Sequence, residues 1–479
     1  MKTTSDLAPE EFARHAHRLA DWIAAYLRDV ERYPVLATTV PGAIRAQLPT
    51  APPAAAESLD DILADLDRVV LPGATHWNHP GFLAYFANTA SVPGILGELV
   101  TAALNLNAML WRTSPVATEL EQVVTDWLRQ LFGMGDGWFG MITDTASIST
   151  MYALAAARER DPALGIRQRG MAGRADLPRL RVYCSEHAHS SVDKAAMTLG
   201  LGLENVVHIA CDGDFRMRPD MLTRAILADR AQGFRPMAVV ATAGTTSMTS
   251  VDPIADIGAI CQRESLWLHV DGAYGGSAMA VPEMRQMFAG LELADSLVVN
   301  PHKWLFTPMD CSVLFTRQPK VLRRAFSLVP EYLTTPDGDQ VVNYMDYGLQ
   351  LGRRFRALKL WMVVRAFGTD GIADRIRHHC QLAQHFADWV RVEGKGWQVC
   401  APVPFSTICF RHVPEGETDE REIAEHNEGI MARVNASGEI FISHTKLGDQ
   451  YVLRVAIGNL RTTEATLDRA WALLRGAVR

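Results

Sequence analysis

The chain has 479 residues, 48% apolar and 21% charged, the proportions of an ordinary globular protein and not of a fibrous or disordered one. Its length allows two or three domains around a large core. A formal net charge of −7 supplies no basic face for nucleic acid, and no apolar run approaches the roughly 20 residues that span a bilayer.

The opening residues, Met1 to Glu11, contain no apolar signal-peptide core. The seven cysteines lack CxxC spacing, so reduced thiols and a soluble cytoplasmic protein are expected. Phe12, Leu19, Trp22, Ile23, Tyr26 and Leu27 recur at three-and-four spacing and predict an amphipathic helix over 10–32. A second helix is predicted over 59–70, between the Pro/Ala-rich linker of 49–57 and the stop at Leu71-Pro72-Gly73. Two helices joined by such a strap bury little core. Residues 1–88 therefore read as a dimerisation segment lying across a partner subunit, with packing on their own chain as the alternative.

From about Thr89 short β-branched runs alternate with helical stretches. Strands are predicted at 181–184, 238–242, 266–270, 296–299 and 312–315, which makes 89–357 an α/β unit with a mostly parallel sheet covered on both faces. Helices over 358–367 and 372–390, strands at 407–411 and 451–457, and a last helix from Thr463 make 358–479 a small α+β domain.

Ligands of parallel sheets sit beyond the carboxyl ends of the strands, where Thr246, Asp271 and Lys303 all fall. A lone lysine is usually solvated and a lone strand-end aspartate usually caps a turn. Together, Asp271 in Val270-Asp271-Gly272-Ala273 and Lys303 in Asn300-Pro301-His302-Lys303-Trp304 match what pyridoxal phosphate (PLP) needs: an amine for its aldehyde and a carboxylate for its protonated ring nitrogen. Thr145-Ala146-Ser147, before a helical run, offer amides and hydroxyls to a phosphate or serve as an ordinary cap, and the two readings are compatible. His187-Ala188-His189 and His378-His379 lack supporting ligand spacing, so no metal is expected.

These residues resemble the group II PLP-dependent decarboxylases, most of all the aromatic L-amino-acid decarboxylase branch. The resemblance runs nearly end to end, through Pro72 to Trp77, Phe82 to Phe86, Ser114 to Glu121, Ala188 to Val192, Gly244-Thr245-Thr246, the Asp271 stretch, Asn300 to Trp304 and Leu351 to Arg356. It implies a fold-type I PLP enzyme working as a homodimer on a small-molecule amino-acid substrate, with active sites at the subunit interface. It places the Schiff base on Lys303, the ring-nitrogen partner on Asp271, ring stacking on His189 and the small residue beneath the ring on Ala273. Thr145, Ala146, Ser147 and Asn300 match the phosphate site, while Thr246 and His302 match residues lining the cofactor and substrate. In isolation His189 would read as a core histidine; His269 reads equally as a partner of Asp271 or as a buried structural residue.

Tyr332, in Pro330-Glu331-Tyr332-Leu333, matches a loop tyrosine that protonates the substrate's Cα, in a segment of about 328–344 that reads as a lid. Relatives with phenylalanine there make aldehydes, so an amine product is expected. Trp77, Tyr85, Phe86 and Gly352 match an aromatic-substrate pocket. Ala87, Asn88, Asn107 and Met109 depart from the animal pattern, and the last two are expected from the other subunit. Buried amides want polar partners, which favours a ring hydroxyl or indole N–H in the substrate. Asp144 and Ile148 depart from the phosphate loop, and Asp144 would repel a dianion unless it points away. The expected reaction is decarboxylation of an aromatic L-amino acid (Trp, Tyr, Phe or dihydroxyphenylalanine class) to its amine. The alternatives are a histidine or acidic amino-acid decarboxylase, an aromatic acetaldehyde synthase, and a silent PLP-binding protein. An acidic substrate calls for a pocket arginine, and none of the matched positions is one.

Overall fold

The computed structural model describes residues 6–328 and 340–478. A seven-stranded sheet is formed by β1 (Phe139–Thr143), β2 (Leu180–Ser185), β3 (Val206–Ile209), β4 (Arg235–Thr242), β5 (Trp267–Asp271), β6 (Ser296–Val299) and β7 (Ser312–Thr316), in the order β1-β7-β6-β5-β4-β2-β3. Strands β3, β2, β4, β5 and β6 are parallel, and β7 runs against both β6 and β1. Alternate side chains enter different cores: Val182, Cys184 and Val240 pack with helix Ala146–Arg158, whereas Tyr183, Val239 and Ala241 join helices Pro219–Ala231 and Ile254–Glu264. Burial on both faces explains the unbroken Val, Ala and Leu runs of these strands.

Two strands of this sheet lie outside the predicted set. β1 has Gly140 at its second position, where a Cβ would come within 2.5 Å of Thr125 on helix Pro115–Leu131, so close helix packing replaces the β-branched signal. β3 is a four-residue edge strand with partly exposed Val207 and exposed His208. Since β1, β2, β4, β5 and β6 point the same way, their carboxyl ends open on one edge, with Thr242, Asp271 and Val298 abreast.

A second, antiparallel sheet has the order β10-β11-β9-β8, from β8 (Trp397–Val399), β9 (Thr407–His412), β10 (Ser443–Leu447) and β11 (Gln450–Ala456). The two helices predicted at 358–367 and 372–390 are one element, Ala357–Glu393, broken at Gly368, whose φ of 66° and ψ of 171° suit glycine alone. Its second half joins helices Glu420–Ala436 and Glu464–Gly476 in the core behind this sheet.

Helix Pro9–Asp29 buries only His15 and is tied to the next helical stretch by Arg18 on Asp60 and by Trp22 Nε1 donating to Asp67. Helix Val92–Leu104 presses Gly97 against the Lys359 backbone and leaves Val92, Leu96, Leu99, Val100 and Leu104 exposed on its other side. Among the described residues no helix is long and apolar enough to cross a membrane.

Candidate active site

The open edge of the large sheet gathers the functional side chains because each strand there ends in a turn. Asp271 is the last residue of β5, and its Oδ1 accepts the Ala273 N–H at 3.0 Å. After β6, Asn300 donates its N–H to the Ala273 carbonyl at 3.1 Å, which sets the short helix Pro301–Trp304 and Lys303 beside Asp271. Burial lowers the Lys303 amine pKa against the opposing pull of Asp271, with Arg454 lowering it further. Lys303 Nζ lies 5.2 Å from the Phe86 ring centroid and makes no hydrogen bond among the described residues. Phe86 stacks on Tyr274 at 3.8 Å, and Tyr274 on Trp304 at 4.6 Å, so three aromatic rings form one wall of the crevice.

His189 follows β2. Its Nδ1 accepts the Ser191 N–H at 3.1 Å, so a neutral ring carries its proton on Nε2. Burial lowers its pKa, with Asp271 opposing and Lys303 and Lys194 adding to the depression. His302 is buried with Nδ1 accepting the Cys311 N–H at 3.0 Å, and burial brings its pKa down to about 3. Of the two readings of His269 the geometry favours the structural one: its ring nitrogens face Ser296 Oγ at 2.9 Å and Thr150 Oγ1 at 3.5 Å.

Helix Ala146–Arg158 begins at the end of β1 with Thr145 as its N-cap. Asp144 Oδ1 accepts both the Thr145 N–H, at 2.5 Å, and the Thr145 hydroxyl, at 3.1 Å. That leaves the Ala146 and Ser147 amides as the helix-end donors that an anion could take. Thr246 is exposed in the turn after β4, and Asn300 Oδ1 is buried without a partner.

Trp77 stacks near Phe82 at 4.2 Å and Tyr85 at 6.3 Å; Tyr85 is 56% exposed and sits at φ 51°. Asn88 Nδ2 points at Met309 Sδ, 3.6 Å away. Asn107, Met109 and Gly352 form a separate group. The Arg353 N–H donates to Asn107 Oδ1 at 2.9 Å, Asn107 Nδ2 faces Met109 Sδ at 3.4 Å, and a Cβ on Gly352 would lie 3.9 Å from that same Nδ2. Arg353 holds the group in place through Glu121 and the Ala108 and Ile142 carbonyls. The polar contacts of this group connect it to Arg353, not to Lys303. Tyr332 lies outside the described residues.

The pyridoxal-dependent decarboxylase conserved domain matches residues 41–413. The chain belongs to the pyridoxal-dependent decarboxylases. Tyrosine decarboxylase 3 of Petroselinum crispum is 40% identical over 98% of this decarboxylase and 92% of its own length, and a phenylacetaldehyde synthase of Arabidopsis thaliana is 37% identical over 99% and 97%. The crystal structure of Oryza sativa TDC with PLP and tryptamine superposes at a TM-score of 0.94, with 35% identity and 99% of each chain covered. The decarboxylase thus has the fold-type I architecture and is a PLP-dependent amino-acid carboxy-lyase. Its crevice fits the cofactor: a half-buried lysine amine with no hydrogen bond among the described residues, a strand-end carboxylate, an unpartnered Asn300 oxygen and two free helix-end amides lie on one edge.

One residue of this decarboxylase escaped the sequence reading. Arg454, on β11, is 3% exposed, and its guanidinium carbon stands 4.7 Å from the Phe86 ring centroid. Nε donates to the Ser247 carbonyl at 2.9 Å and Nη1 to the Tyr85 carbonyl at 2.5 Å, while Nη2 is buried without a partner. The one signal in the sequence is a charge inside the apolar run Tyr451-Val452-Leu453-Arg454-Val455-Ala456.

Proposed function

We propose that this decarboxylase converts an aromatic L-amino acid to the corresponding amine and carbon dioxide at the carboxyl ends of β4, β5 and β6. The observation that carries the reading is the meeting of Lys303, Asp271 and His189 beside the stacked rings of Phe86, Tyr274 and Trp304. PLP, when bound, supplies the sink for the electron pair left at Cα. In this reading Lys303 holds the cofactor aldehyde, Asp271 the ring nitrogen, and His189 and Ala273 the ring faces. Asn300, Thr145, Ala146 and Ser147 take the phosphate, and Thr246 and His302 line the cofactor and substrate.

Trp77, Tyr85, Phe86 and Asn88 line the substrate side. Asn107 and Met109 reach it across a subunit interface, and Gly352, which sits against Asn107, goes with them. Tyr332 delivers the proton to Cα. The unpartnered Nη2 of Arg454 anchors the substrate carboxylate; a hydrogen bond to a charged group contributes about 1.5–3 kcal/mol. The homodimer rests on the exposed apolar face of helix Val92–Leu104, an area too continuous for an isolated soluble surface. A cytoplasmic location is supported by seven unpaired cysteines.

The same arginine favours a second reading, an acidic substrate, because it supplies the cation that such a side chain needs. The aromatic wall and the 40% identity to a tyrosine decarboxylase favour the first. Lys303→Ala is expected to abolish both turnover and the visible-edge absorbance of the PLP-loaded protein. Retention of either by the folded variant contradicts the assignment.

A further inference from the structure

We propose that Glu186, His187 and Cys211 form a site for a divalent, thiophilic metal ion such as Zn2+, beside the crevice and apart from the residues assigned to the cofactor. One ligand atom from each lies within 4.8 Å of the others. Sequence spacing gives no metal motif here, because Glu186 and His187 follow β2 while Cys211 follows β3, and the pairing of those strands brings them together. The Glu186 N–H donates to the Ile209 carbonyl at 3.0 Å, fixing the turn to β3. The Cys211 N–H donates to Glu186 Oε1 at 2.9 Å, which orients the carboxylate and leaves Oε2 uncommitted.

His187 packs edge-on against Phe215, centroids 5.6 Å apart, and its ring makes no hydrogen bond among the described residues. The Cys211 sulfur has a 4.0 Å contact to the Ile209 carbonyl and a weak hydrogen bond with Ser185, both of which a metal–sulfur bond can replace. Carboxylate, imidazole and thiolate are a donor set suited to tetrahedral zinc, with water in the fourth position. On binding, the metal–sulfur bond replaces the thiol S–H bond and the proton leaves to solvent. With Glu186 and Cys211 anionic, the two charges of the ion are balanced. His187 is two residues from His189, in a turn closed by Ala188 N–H to the Ser185 carbonyl at 2.9 Å, so an occupied site stiffens the segment that carries His189.

The test uses PLP-loaded protein stripped with chelator, titrated with Zn2+ by calorimetry and assayed for retained metal after dialysis. One zinc per chain is expected, with affinity falling at least about tenfold in Cys211→Ser and in His187→Gln, since even residues that only orient ligands contribute this much. Cys400→Ser is the control expected to leave binding unchanged, and intact cofactor absorbance reports that each variant folds. Glu186 is exposed, so Glu186→Gln gives a weakened site even if an inner substitution fails to fold. No zinc retained by the wild type, or affinity unchanged in the folded variants, overturns the site.

Discussion

Burial sets the behaviour of the ionisable side chains around the crevice. His302 and His379 have pKa values brought down to about 3, and His269 to about 4, each chiefly by removal from water. A folded-state value below the ordinary 6.5 means the unfolded chain binds the extra proton between the two values. The neutral rings are therefore without penalty above about pH 6.5, and stability falls as pH drops towards 3–4. At pH 5 each such histidine costs about 2 kcal/mol. His379 accepts the Trp304 Nε1–H at 3.0 Å, a bond that a glutamine oxygen can also accept. His379→Gln is expected to flatten the acid limb of the stability curve by up to about 1.4 kcal/mol per pH unit, measured by urea unfolding at successive pH values. An unchanged slope contradicts a neutral buried ring. Lys303 and Asp271 were legible in the sequence because each lies in a short local pattern next to a strand end. Arg454 was not, since it reaches the same place from a distant strand and its neighbours in sequence carry no chemistry.

At the scale of elements, the strands legible in the sequence were the doubly buried ones, such as β5 and β4 from Met237 onward, where no residue has to face water. β1, β3, β8 and β10 were not, for reasons particular to each. Gly140 breaks the pattern of β1, β3 is a short edge, β8 has three residues, and β10 alternates partly buried with exposed positions around Ser443, Thr445 and Lys446. The break at Gly368 was readable only as a gap between two helices. A Cβ there meets nothing within 4 Å, so substitution acts on the backbone alone. Gly368→Ala is expected to destabilise the protein by about 1–3 kcal/mol, read as a lowered unfolding midpoint in denaturant. A midpoint equal to wild type contradicts the strained geometry.

At the scale of the molecule, the two sheets meet over the crevice. Arg454 bonds from the small sheet to the Ser247 and Tyr85 carbonyls, Asn459 Nδ2 bonds to the Trp77 and His79 carbonyls, and Tyr274 and Ser406 hydroxyls are joined. The Trp77 and Tyr85 backbone is thus held from the C-terminal part of the chain, and the Phe86 ring contacts both Tyr274 and Arg454. The group of Asn107, Met109 and Gly352 has no polar contact with Lys303 among the described residues, and in the proposed dimer it serves the partner's crevice. Leu99→Glu, in the middle of the exposed apolar face of helix Val92–Leu104, is expected to shift the protein from dimer to monomer in sedimentation and to lower turnover with it. A dimer of unchanged stability moves the interface elsewhere. The most direct test of aromatic amino-acid decarboxylation is the purified protein with added PLP, offered tryptophan, tyrosine, phenylalanine, dihydroxyphenylalanine, histidine and glutamate, with carbon dioxide, amine, aldehyde and peroxide all measured. An aromatic amino acid is expected to be turned over fastest, with amine equal to carbon dioxide and no peroxide. Faster turnover of glutamate or histidine, or aldehyde and peroxide in step with carbon dioxide, contradicts it.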